Sequence, residues 1–211
     1  QDIRAGNQHI PKTIEAAETV ARELAAADAP FFLNLWLRDT VPGPDGTLPF
    51  EAHPDLVKEL VVPEQWEDTP EMRETLARYY AAIGEVDFYL GRFFDDLEDR
   101  GIEDDTLVVL MADSGPAIFP GLQTSLSNAD AEASLILRWS SILPGGYTMD
   151  HLVSSLDLAP TLATLAGIEQ LPGSWTGTSF KHWLDGQYEP IHQSVTCTNG
   201  HDTRTIKASH A

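Results

Sequence analysis

TLVVLMADSGPAIF, residues 106–119, decides how this chain is read. The apolar, partly β-branched run 106–112 has the length and composition of a buried strand, and it ends at Asp113, Ser114 and Gly115. A strand that delivers a carboxylate at its tip invites the question of what that acid serves. Upstream lies TPEMRETLARYYAAIGEVDFYLGRFFDDLEDRG, residues 69–101. Thr69 has the chemistry of an N-cap, Pro70 suits the first helical position, and Gly101 suits the left-handed residue after the last turn. Between them Met72, Leu76, Tyr79, Tyr80, Ile83, Val86, Leu90, Phe93, Phe94 and Leu97 keep helical spacing, which predicts one long helix burying one stripe.

Working outward, TIEAAETVARELAAA at 13–27 predicts a helix with Thr13 as its cap, and FFLNLWL at 31–37 predicts a buried strand. The proline-rich TVPGPDGTLPFEAHPD at 40–55 and the stretch 114–132 read as loops. ASLILRW at 133–139 predicts a strand, SLDLAPTLATLAG at 155–167 a short helix closed by glycine, and SVTCTNG at 194–200 a further strand. Strands alternating with helices imply an α/β fold with a mostly parallel sheet flanked by helices.

Composition narrows the function. Acidic residues number 33 against 13 basic, for a net charge of −20, which opposes binding to nucleic acid or to an anionic membrane and favours cations. Cys197 is the single cysteine, so neither a disulfide framework nor a cysteine zinc cluster is available. No apolar run reaches the roughly 18 residues that span a bilayer. The start QDIRAGNQHIP lacks a signal pattern and a methionine, and we expect the residues to come from within a longer protein.

In an open parallel sheet, ligands collect beyond the carboxyl ends of the strands. That rule selects Arg38 and Asp39 after the first strand, Asp113 and Ser114 after the second, and Asn199 and His201 after the late one. Tyr80 is expected in the core, Asp87 in a local pair, and Asp157 in the first turn of its helix, where a carboxylate meets unsatisfied amides. His53, His151, His182 and His192 show no metal-ligand spacing.

Taken in order, APFFLNLWLRD, the helix containing LARYYAAIGEVDFYLGRFFDDLEDRG, the strand TLVVLMADSG and VSSLDLAPTLATLAGI resemble the sulfatase family of the alkaline-phosphatase superfamily. VPEQWEDTPEMRETLARYY and the Phe119–Gly121 loop are most similar to the heparan N-sulfatase (sulfamidase) branch. The resemblance spans residues 13–207. It implies a truncated sulfatase-like α/β domain over 1–190 and the start of a small antiparallel C-terminal subdomain over 191–211.

The same resemblance implies hydrolysis of a sulfate ester or sulfamate, on a sulfated sugar, by a formylglycine nucleophile made from cysteine or serine. Calcium held by carboxylates would stabilise the sulfate oxygens, a task suited to hard oxygen ligands. Asp113 falls on a metal-binding aspartate, and Ser114 on the family's Asn or His slot. Arg38 stands where a catalytic histidine is usual, and Gln123 near a catalytic Lys or Arg. Asp39 and His201 fall where substrate is contacted. The nucleophile motif Cys-x-Pro-x-Arg is not among these residues, since Cys197 sits in CTNGH, so the nucleophile half is an expected partner and the 211 residues alone are expected to be inactive. Two alternatives stand beside this one: a non-catalytic relative that binds a sulfated or phosphorylated ligand, and a phosphate-ester or phosphonate hydrolase.

Overall fold

The computed structural model describes residues 2–3, 10–26, 29–37, 40, 48, 50–64, 66–113, 115, 133–198 and 203–207. The elements run β1 (Asp2–Ile3), α1 (Ile10–Ala26), β2 (Asn34–Leu35), α2 (Pro54–Glu59), α3 (Pro70–Asp99), β3 (Val108–Met111) and β4 (Leu135–Arg138). Then come a 3-10 turn (Ser155–Asp157), α4 (Leu158–Leu165), α5 (Lys181–Leu184), β5 (Ser194–Thr198) and β6 (Thr203–Lys207). Helices and strands mix as an α/β fold requires. Among the described residues the strands pair two by two: β1 with β2 in parallel, β3 with β4 and β5 with β6 antiparallel.

α3 forms where its capping residues place it. The Thr69 hydroxyl accepts from the Met72 amide at 3.1 Å, Pro70 needs no amide partner, and the helix runs unbroken through Gly84 and Gly91. At its end Gly101 takes φ +67°, its amide donates to the Glu98 carbonyl at 2.8 Å, and the Ile102 amide donates to the Leu97 carbonyl at 3.1 Å. This double bond pattern satisfies carbonyls that the last turn leaves open, and Ile102 packs back on the core beside Leu97.

α1 begins at Ile10, three residues before the Thr13 cap expected from sequence. Pro11 fits a first turn because that turn has no use for its missing amide hydrogen, and Thr13 is buried inside the helix instead of capping it. Ile10, Ile14, Ala17 and Ala21 form one buried seam, and Phe93 and Leu97 of α3 close against it. The two alanines let the helices approach closely. Leu33, Leu35, Leu37 and Val108 cover the same cluster from the strand side. An Arg92–Glu18 pair at 3.7 Å crosses between the two helices at their margin.

The first strand therefore reads differently from a run buried on both faces. Its odd residues meet the helices, while Phe32 and Trp36 are 65% and 54% exposed. The α3 stripe is also interrupted. Leu76 and Ala77 near the start join Leu60 and the side chains of α2 in a second core, whereas Tyr80, expected inside, is 40% exposed along with Ile83. The helix bridges two cores with a solvent-facing waist. Arg73 fastens the second one: its guanidinium donates to both Asp68 oxygens at 2.5 and 2.6 Å and to the Val57 and Leu60 carbonyls at 3.2 Å.

Arg100 donates to both carboxylate oxygens of Asp96 one turn earlier. That hydrogen bonding, opposed by burial and aided by the charges of Arg100 and Arg22, holds the Asp96 carboxyl below its ordinary value. A carboxyl depressed by folding adds stability above its unfolded pKa and loses it as pH falls through the folded one. Asp96→Asn should thus lower the melting temperature near neutrality and converge on the wild type as the pH falls through the depressed folded-state value of Asp96. A pH series of thermal melts checks this. Leu97→Ala, which empties the centre of the main core, should cost about 2–5 kcal/mol in urea unfolding.

Candidate functional site

The sequence directs attention to the carboxyl end of β3. Val108–Met111 pairs antiparallel with β4, Leu110 opposite Ile136, and the Ala112 amide extends the ladder to the Ser134 carbonyl at 3.0 Å. The chain bends immediately afterwards, at Asp113, whose side chain is exposed. The strand is aimed from its other end. Arg138 of β4 pairs with Glu103, and the Ser140 hydroxyl donates to that carboxylate at 2.7 Å. Trp139 Nε1 and the Ser141 hydroxyl donate to the Asp104 carbonyl at 2.9 and 2.5 Å. The Arg138 guanidinium also lies 4.7 Å over the Phe94 ring of α3. The turn between α3 and β3 is consequently clamped to the far end of β4, which fixes where residue 113 emerges.

Of the residues selected from sequence, Asp113 is described and sits at a strand exit. Arg38, Asp39, Ser114, Gln123 and His201 lie outside the described residues, as does the loop 116–132. Asp87 is exposed on α3. Among the described residues no group of three or more His, Cys, Asp or Glu side chains is arranged to hold a metal ion. As a hard oxygen donor in an exposed position, the Asp113 carboxylate fits one coordination place of a calcium ion, with the other donors to come from elsewhere.

The polar constellation that the structure does assemble centres on Asp157. Its side chain is 0% exposed. One oxygen accepts from the Ser154 amide and from His192 Nε2, both at 2.7 Å, and the other accepts from the Thr178 amide at 2.7 Å. The Ser154 hydroxyl accepts from the Leu156 amide at 3.3 Å, so the first turn of the helix is capped as expected. Next to it the Thr161 hydroxyl donates to the Asp157 carbonyl at 2.6 Å and accepts from the Phe180 amide at 3.0 Å. A carboxylate meeting three donors has little capacity left for a ligand, and it acts here as a buried knot joining segments 154–161, 178–180 and 192. Sequence placed Asp157 at a helix start, but gave no signal for His192, because the two lie 35 positions apart.

With this geometry in view, kinship becomes specific. The profile of the Sulfatase family matches residues 9–168. The chain belongs to the sulfatase family. Human N-sulphoglucosamine sulphohydrolase is 33% identical over 105 residues, covering 49% of this chain and 21% of that protein. An ulvan-active sulfatase of Formosa agariphila is 25% identical over 190 residues, covering 89% of this chain and 36% of that protein. The crystal structure of Ps i-CgsB superposes with a TM-score of 0.65 at 21% identity, over 88% of this chain and 40% of that one. The chain thus has the sulfatase α/β fold and spans well under half the length of these relatives.

Gly177 shows how tightly the knot is drawn. A Cβ there would lie 2.0 Å from the Leu156 carbonyl oxygen and 2.4 Å from its carbon. Gly177→Ala should therefore prevent accumulation of folded protein or lower its melting temperature more than any surface substitution. Asp157→Ala, which strands two amides and a histidine, should cost about 3 kcal/mol or more in chemical denaturation.

Proposed function

We propose that these residues are the C-terminal part of a sulfatase that hydrolyses sulfate esters or sulfamates on a sulfated sugar. The observation that carries the proposal is the family match running through Asp113, which the fold holds at the carboxyl end of β3. Two relatives bear names that speak of a glucosamine sulfamate and of ulvan, which favours a glycan as substrate. Residues 191–211, which include β5 and β6, begin the small antiparallel subdomain in this reading.

Asp113 binds calcium in this scheme, with Ser114 as a neutral oxygen neighbour, and the ion supplies positive charge beside the sulfate oxygens. Arg38 pairs with sulfate through its planar fork, and the Gln123 amide donates a hydrogen bond to it. Asp39 and His201 contact the sugar. A guanidinium does not exchange protons near neutral pH, so Arg38 orients and neutralises without acting as acid or base. The formylglycine nucleophile and the remaining metal ligands come from a preceding segment of the fold. The exposed Phe32 and Trp36 flanking β2, and Leu110 and Ile136 across β3 and β4, supply apolar surface for that segment to cover.

A second reading, a relative that binds a sulfated ligand without cleaving it, draws on Arg38 and Gln123, which stand in slots where proton transfer and full charge neutralisation are usual. The full-length protein should release sulfate from an aryl sulfate faster than phosphate from an aryl phosphate, and a calcium chelator should suppress the release. Asp113→Ala should reduce sulfate release by about a hundredfold or more, on the scale of losing an electrostatic stabiliser. No sulfate release by the wild type, or a preference for phosphate, would sink the enzyme reading.

A further inference from the structure

Away from β3, a ladder of rings climbs from the core to the surface. Phe180, buried, stacks on Trp183 at 5.3 Å, and His151 lies 5.5 Å from Trp183 on the outer side. The His151 Nε2 meets the Tyr188 carbonyl at 2.7 Å. Trp183 Nε1 donates to the Glu189 carbonyl at 2.8 Å, and His182 Nε2 meets the same oxygen at 3.2 Å. Three ring nitrogens therefore hold the backbone of residues 188–189. The Tyr188 ring stacks on Tyr147 at 5.5 Å with 26° between planes, and the two are 42% and 59% exposed.

Each tyrosine follows a turn that contains a glycine in the left-handed region, Gly146 at φ +73° and Gly186 at φ +81°. Two large rings are thus stacked on each other and open to solvent, and the backbone beneath one of them is anchored by three ring nitrogens. A rigid ring pays little ordering entropy when a ligand lands on it, and a phenol adds a hydrogen-bonding edge to an apolar face. A pyranose ring offers the complement, an apolar C–H face rimmed by hydroxyls. Glu189 next to Tyr188, and Asp150 three residues after Tyr147, are exposed carboxylates that disfavour a sulfate at this spot, so the sugar unit that fits is an uncharged one.

We propose that Tyr147 and Tyr188 form a platform that binds an uncharged sugar unit of the glycan, apart from the unit that carries the sulfate to be cleaved. This rests on the glycan reading above. The test is native gel electrophoresis of the full-length protein through desulfated carrageenan and through agarose-derived oligosaccharides, with Phe88→Ala as an exposed aromatic control. The wild type and the control should be retarded, Tyr147→Ala and Tyr188→Ala should bind about fivefold to tenfold more weakly, and Tyr147→Trp should retain binding. Absence of retardation by either glycan, or alanine variants that bind like wild type, would overturn the platform. Loss in Tyr147→Trp equal to that in Tyr147→Ala would also overturn it, pointing to loop packing or to a protein partner. Sulfate release is scored separately, so a glycan-binding protein without turnover would end the enzyme reading and leave the platform standing.

Discussion

The turn between α3 and β3 is the constraint on which the candidate site depends. Gly101 reverses the chain, Ile102 locks back on Leu97, and Glu103 and Asp104 are gripped by Arg138, Trp139, Ser140 and Ser141 from the far end of β4. Since β3 starts from a clamped turn and rises beside β4, the place of Asp113 follows from packing at Gly101–Asp104, well before the strand itself. A functional carboxylate on an exposed bend gains its precision from the scaffold beneath it.

Local signals were legible in the sequence, and distant ones were not. The cap, the proline and the closing glycine of α3 sit at its own ends, so Thr69, Pro70 and Gly101 could be read directly. The short helix closed by Gly167 was equally legible, with the same pair of bonds from Gly167 to Thr164 and from Ile168 to Ala163. The antiparallel partnership of β3 with β4 left no trace, because strands apolar on both faces give no register. Thr13 misled because a hydroxyl before an apolar stripe marks a cap only if the preceding residues leave the helix, and Ile10 is itself a seam residue.

The candidate site was legible in a different manner. Strand exits marked Asp113 by position, and an ordered series of motifs connected it with sulfatase chemistry, which the family match over residues 9–168 supports at the level of the fold and family. His192 escaped because nothing near it in the chain announces a buried partner. Gly177 escaped for the same reason: its importance lies in the Leu156 carbonyl pressed against it, about twenty positions away in the chain. Tertiary contact, more than local propensity, gives both residues their meaning.

The division of α3 between two cores has a consequence for motion. Its first turns answer to Leu60 and α2, its last turns to Ile10, Ile14 and the strands, and Tyr80 and Ile83 face water between. Such an arrangement lets α2 and the start of α3 come undone without dislodging the half that supports residue 113. An insertion or a cut near α2 is therefore expected to disturb one end of a continuous rod and to spare the strand exit.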